Sequence, residues 1–176
     1  MKNTFIKYIA NTQHYDDVLS RIASVKHTLW IGTADIKDVY VKSGTAVIPL
    51  LAVFDKLIKR GVSIRLIHAK HPGPTFREDY DRYPALWSSM EMTLCPRVHF
   101  KMMIFDVQMA YIGSANLTGA GIGMKSGQKR NFEAGILTNE PSLVNVAANQ
   151  FDDVWRGAFC EKCGRKNIVV NKYVKN

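Results

Sequence analysis

Residues 27–68 read as strand, helix, strand, and that order constrains the fold more than any other feature of the chain. Residues 27–34 (HTLWIGTA) are a short, mostly apolar stretch that runs into a polar turn. Residues 46–60 (AVIPLLAVFDKLIKR) space their apolar side chains at helical intervals, carry basic residues in the last turn, and are followed by Gly61. Residues 62–68 (VSIRLIH) alternate as a strand does. Strands alternating with helices imply a layered α/β domain, a mixed β-sheet flanked by helices.

The remaining segments extend that pattern. Residues 70–74 (KHPGP) read as a loop, and residues 75–92 as a helix interrupted by Pro84. Residues 98–106 and 109–112 read as two strands with a tight connection. Residues 117–129, rich in glycine and polar side chains, predict a flexible loop. Residues 131–138 (NFEAGILT) read as a further strand, and residues 141–158 as a helix with Pro141 in its first turn. No repeat or heptad run interrupts residues 1–159, expected to be one domain. Residues 160–176 follow as a Cys-x-x-Cys knuckle and a basic tail.

Composition narrows the function classes. Apolar content of 47% with 22% charged residues is ordinary for a soluble globular protein. No stretch has the length of apolar sequence that spans a bilayer, and the first eight residues lack the apolar core of a signal peptide. A cytoplasmic protein without membrane anchoring is expected. The net charge of +9 favours a polyanionic partner, nucleic acid or an anionic membrane surface.

Chemistry concentrates in one contiguous pattern, H-x-K-x4-D-x6-G-S-x-N, formed by His99, Lys101, Asp106, Gly113, Ser114 and Asn116. It occurs once. On a strand, residues two apart share a face. His99 and Lys101 are therefore expected side by side, with Val98, Phe100 and Met102 turned into apolar packing. An imidazole beside an ammonium suits attack on phosphorus with a clamp on the phosphate oxygens. Ser114 and Asn116 share a face in the same way and offer hydrogen bonds to phosphate. Gly113 would let the backbone approach a ligand.

These residues resemble the HKD motif of the phospholipase D superfamily. The match is complete from His99 to Asn116 and reaches more weakly over residues 61–156. Asn131-Phe132-Glu133 stands where the family carries an N-x-E segment. One motif in a short chain resembles the bacterial nuclease branch. The resemblance implies a phospholipase D-like fold and a metal-independent phosphodiesterase, most readily a nuclease. It implies a phosphohistidine intermediate and two histidines in one site, hence a homodimer with each subunit contributing His99, Lys101, Ser114 and Asn116. Glu133 would hydrogen-bond His99. Asp106 belongs to the implied catalytic set, although organising a turn suits it better than direct chemistry. A phospholipid phosphodiesterase and a non-catalytic nucleic-acid-binding module stay open as alternatives.

Other groups lie outside the motif. Lys125, Lys129 and Arg130 sit among glycines after the phosphate-type segment, as a basic substrate-binding loop or a solvated surface loop. His68, Lys70 and His71 close a strand, a place where α/β sheets often line a site. The chain has three cysteines. Cys160 and Cys163 have the spacing of one zinc knuckle, and Cys95 would be a third ligand with His68 or His71 as a fourth. The alternatives are a knuckle pair joined across a dimer, or free thiols. Trp30, Trp87 and Trp155 are expected to anchor a core or an interface.

Overall fold

β2 (Thr28–Thr33) and β5 (Ser63–His68) pair in parallel, and α1 (Leu50–Lys59) makes the crossover between them. The computed structural model describes residues 3–37 and 39–164. The strand–helix–strand unit anticipated from the sequence thus forms. Its helix is shorter than expected, however. Residues 46–49 are β4 (Ala46–Pro49), which pairs with β3 (Tyr40–Ser43) as a separate two-stranded ribbon. Pro49 explains the difference: it lacks the backbone N–H that a helix interior needs, and the helix begins directly after it.

After β5 the chain forms α2 (Pro74–Asp81) and α3 (Pro84–Ser89), each with proline in its first turn. β6 (Met90–Leu94) follows and pairs in parallel with β5. The single interrupted helix expected over 75–92 is therefore two helices and a strand. β7 (Lys101–Phe105) returns to the far side of β2 and runs antiparallel to it. β8 (Met109–Gly113) and β9 (Ala134–Thr138) extend the sheet as antiparallel neighbours. β1 (Ile6–Ala10), not anticipated from the sequence, pairs with β9 at the edge. The sheet has seven strands in the order β1-β9-β8-β7-β2-β5-β6.

Two apolar layers cover the sheet. One face packs Leu29, Ile31, Leu66, Met103 and Tyr111 against α1, α3 and a helical stretch formed by His14–Val18 and Leu19–Ser24. The other face carries Val98, Met102, Ile104 and Ala110 against Val144, Ala147 and Phe151 of α4 (Pro141–Trp155). α4 is pinned by aromatic stacking. Phe151 stacks between Trp30 at 5.3 Å and Trp155 at 6.0 Å. The Arg65 guanidinium lies 5.5 Å from the Trp30 ring and 5.2 Å from the Trp155 ring. Trp30 and Trp155 thus anchor the core as expected, whereas Trp87 is 49% exposed.

The β7–β8 turn is tight and strained. Gln108 N donates to Phe105 O at 2.9 Å, with Asp106 and Val107 at φ 53° and 51° between them. Two left-handed residues in succession match the turn that suits hairpin twist, where Asp-Gly is favoured. A β-branched residue in that region is disfavoured by roughly 1–2 kcal/mol. We expect Val107→Gly to raise stability by about 1 kcal/mol, a rise of about 2–4 °C in Tm. Thermal denaturation reads this directly, and an unchanged or lower midpoint would count against strain at this turn.

Candidate active site

One edge of the sheet gathers the motif. Register places Lys101 opposite Gly113 and Gly113 opposite Gly135, so the start of β7, the end of β8 and the start of β9 lie side by side. His99 lies before β7, which starts at Lys101 and not at Val98 as expected, and its neighbours Val98 and Phe100 pack on the α4 side. The Phe100 ring occupies the place a side chain at Gly32 would take: a Cβ there would lie 2.2 Å from Phe100 Cε2. Gly32 thereby lets Phe100 lock the His99 segment onto β2. His99 is exposed, and Lys101 is buried at 7%.

The Lys101 ammonium lies 3.3 Å from both His99 ring nitrogens and donates to the His99 carbonyl at 2.7 Å. Burial pushes its pKa below the ordinary lysine value, and the Glu133 charge opposes that shift. Lysine and glutamate therefore share one electrostatic site.

Glu133 was expected to hydrogen-bond His99, and its carboxylate is held differently. Ser114 Oγ donates to Glu133 Oε2, and Asn131 Nδ2 donates to Oε1 at 2.9 Å. Ala134 N in turn donates to Ser114 Oγ at 3.1 Å. The β8–β9 register is the reason, because it seats the hydroxyl of one strand end beside the carboxylate of the other. Ser114 and Asn116 do not act as a pair. Asn116 Oδ1 turns toward the end of β2, accepting from Thr33 Oγ1 at 3.3 Å and from Asp35 N at 3.1 Å. That leaves Asn116 Nδ2 as the group able to donate to a phosphate oxygen.

Gly113 is needed for packing. A Cβ on it would lie 2.3 Å from the Tyr111 hydroxyl, and one on Gly135 would lie 2.6 Å from Tyr111 Cε2. Tyr111 is 1% exposed and its hydroxyl accepts from Ala115 N at 3.3 Å. Burial pushes its phenol far above the usual range. Packing against Tyr111 by itself already requires glycine at 113.

The loop expected to be flexible is folded back on the site. Ile122 is buried, Asn131 N donates to Ala120 O at 3.1 Å, and a Cβ on Gly121 would lie 2.5 Å from Asn116 O. Lys125 and Lys129 are exposed on it and Arg130 is half-buried.

The family model described as "Cardiolipin synthase, PLD-like domain" matches residues 18–155. The chain belongs to this phospholipase D-like family. No curated protein matches it. Among solved structures, NucT from Helicobacter pylori is similar with a TM-score of 0.65 at 13% identity, covering 88% of this chain and 97% of its own. Nuc from Salmonella typhimurium, a phospholipase D family member, gives 0.63 at 19% identity, covering 88% and 95%. The archaeal chromatin protein TrmBL2 gives 0.60 at 14% identity, covering 86% and 52%. At these identities the likeness is one of fold.

Two groups of expected site residues lie elsewhere in this phospholipase D-like domain. Asp106 stands at the other end of β7 from Lys101, about 16 Å away along five strand residues. Its Oδ1 accepts from the backbone N–H of His27 at 2.7 Å and of Thr28 at 2.9 Å, and its Oδ2 from Lys26 at 3.1 Å. It organises a turn, and the fold does not bring it together with His99 and Lys101. Cys95, Cys160 and Cys163 line one cavity of about 680 Å³ beside α4. Among the described residues, no three His, Cys, Asp or Glu side chains are grouped so as to hold a metal ion. His68 is buried with Nδ1 bonded to Lys70 O at 2.7 Å. The basic tail from residue 165 lies outside the described residues.

Thr33, Asn11, His14, Tyr111 and Gly135 surround the site and went unread in the sequence. Thr33 alone left a signal, as the polar residue closing an apolar strand. We expect Asp106→Ala to destabilise the fold by about 1–2 kcal/mol, through the loss of hydrogen bonds to charge, while sparing the motif edge. Burial of Asp106 alone would raise its pKa, but the bonds from Thr28, His27 and Lys26 outweigh it and hold the carboxyl below the usual range. Its contribution is thus fully present above about pH 4 and fades as pH falls through the lower folded value. Urea midpoints of wild type and variant across pH check this: their gap should hold from neutral pH to about 4 and close below it.

Proposed function

We propose that the chain is a metal-independent phosphodiesterase that hydrolyses nucleic-acid phosphodiester bonds, a nuclease working as a homodimer. The observation that carries the reading is the convergence of His99, Lys101, Ser114, Asn116 and Glu133 at three adjoining strand ends. A ring nitrogen of exposed His99 attacks phosphorus and the bond to one ester oxygen breaks, leaving a phosphohistidine. A second, protonated histidine gives its proton to the departing oxygen. It then takes a proton from water, whose oxygen displaces His99 from phosphorus. Lys101 and Asn116 Nδ2 supply positive charge and a hydrogen bond to the phosphate oxygens as charge builds in the transition state.

The second histidine comes from a second copy in this reading, because the motif occurs once. Nucleic acid is favoured by the net charge of +9 and by Lys125, Lys129 and Arg130 on the loop that follows Asn116 in the chain. A phospholipid phosphodiester is the second reading, supported by the description of the matching family. No helix among the described residues is long and apolar enough to cross a membrane.

We expect His99→Ala to reduce cleavage of plasmid DNA to background while the chain keeps its fold and oligomeric state. Activity of the wild type should survive EDTA. Cleavage by the variant would sink the phosphohistidine route. Turnover of phosphatidylcholine vesicles without cleavage of DNA would move the assignment to lipid. DNA binding without cleavage of either substrate would reduce the protein to a binding module.

A further inference from the structure

We propose that Asn11 and His14 form a positioning unit for Glu133, a role that rests on the reading of the motif edge as a phosphodiesterase site. Asn11 grips the main chain of Glu133 from both sides. Asn11 N donates to Glu133 O at 3.1 Å, and Glu133 N donates to Asn11 Oδ1 at 3.4 Å. This grip lies one residue beyond the last β1–β9 pair, Ala10 with Ala134. Asn11 sits at φ 48°, a left-handed conformation that asparagine tolerates better than most residues. That turn delivers the chain into His14–Val18.

His14 locks the turn. The Asn11 carbonyl accepts from His14 N at 3.2 Å and from His14 Nδ1 at 2.9 Å. A carbonyl only accepts, so Nδ1 carries the proton. The imidazole is 2% exposed and meets the Tyr111 ring edge-on at 5.3 Å. It therefore touches the floor of the site while holding the residue that clamps Glu133. Its Nε2 is buried without a hydrogen-bond partner. A phenylalanine would fill the same space without that unmet acceptor, so packing alone does not account for histidine here. What histidine adds is the Nδ1 bond to Asn11. Burial pushes its pKa down, against the Asn11 bond and the Glu133 charge, which favours the neutral ring that makes this bond.

The geometry separates two functions of the ring. His14→Phe keeps the contact with Tyr111 and loses the bond to Asn11. His14→Asn keeps a donor for Asn11 and loses the ring. With bis(4-nitrophenyl) phosphate as the probe, His14→Phe should lower kcat about tenfold and leave KM within about threefold, a displacement effect on a charged group. His14→Asn should recover most of the lost kcat. Wild-type kcat in His14→Phe, or no recovery in His14→Asn, overturns the proposal while wild type and His99→Ala still report on the phosphodiesterase reading. If wild type hydrolyses no diester, that reading fails. Amide hydrogen exchange then decides: His14→Phe should speed exchange at Asn11 and Glu133 about tenfold, and unchanged rates overturn the clamp. Should His14→Phe fail to fold, Asn11→Gly keeps the left-handed turn and removes the side chain that carries Oδ1. Faster exchange at Glu133 in that variant supports the clamp, and wild-type exchange there overturns it.

Discussion

Tyr111 sets the floor on which the candidate site stands. Its ring fills the volume that side chains at Gly113 and Gly135 would need, and those two glycines face each other in the β8–β9 register. An aromatic side chain buried under two strand ends is possible only where both strands lack a Cβ. In return, the two ends come close enough for Ser114 to reach Glu133 across the gap. The polar cluster above and the apolar core below are thus joined by one residue, which belongs to the core cluster and still accepts a hydrogen bond from Ala115.

The β7–β8 hairpin carries that arrangement across the sheet. Lys101 begins it, and the turn at Asp106 closes its first strand. Strand side chains alternate, so a slip of one residue in β7 would send Lys101 to the α4 face and Met102 into the site. The Asp106 carboxylate ties the turn to Lys26, His27 and Thr28, at the entrance to β2. β7 pairs with β2 along its length. The pairing of β7 with β2 and β8 sets which side chains face the site, and the Asp106 anchor adds stability at the far end.

How much of this was legible in the sequence follows from how local each cause is. The strand at 27–34 rests on an apolar run and the strand at 62–68 on spacing of two, both of which the sequence displays. The outward turn of Val98, Phe100 and Met102 into a second apolar layer was readable for the same reason. The family resemblance added the fold, and the matching family model supports it. What stayed hidden depends on pairing between distant segments. Nothing near Glu133 announces that Ser114 and Asn131 hold its carboxylate, because that follows from the β8–β9 register. Nothing near Asn11 announces a partner 122 residues away. The loop at 117–130 looked flexible from its glycines, but Gly121 is there because the loop packs tightly over Asn116.

The other histidines bear on how a site with one motif could work. Two of them, His14 and His68, are buried with Nδ1 bound to a backbone carbonyl. His27 stands beside Asp106 at the opposite edge of the sheet. His71 lies in the loop that follows β5, whose end is at the same end of the sheet as the start of β7. A phosphohistidine route needs one imidazole free to attack and another charged to protonate the departing oxygen, and one group cannot hold both states at once. The proposed route draws its second imidazole from a second copy because the motif occurs once, and the exposure of His99 leaves room for it to arrive.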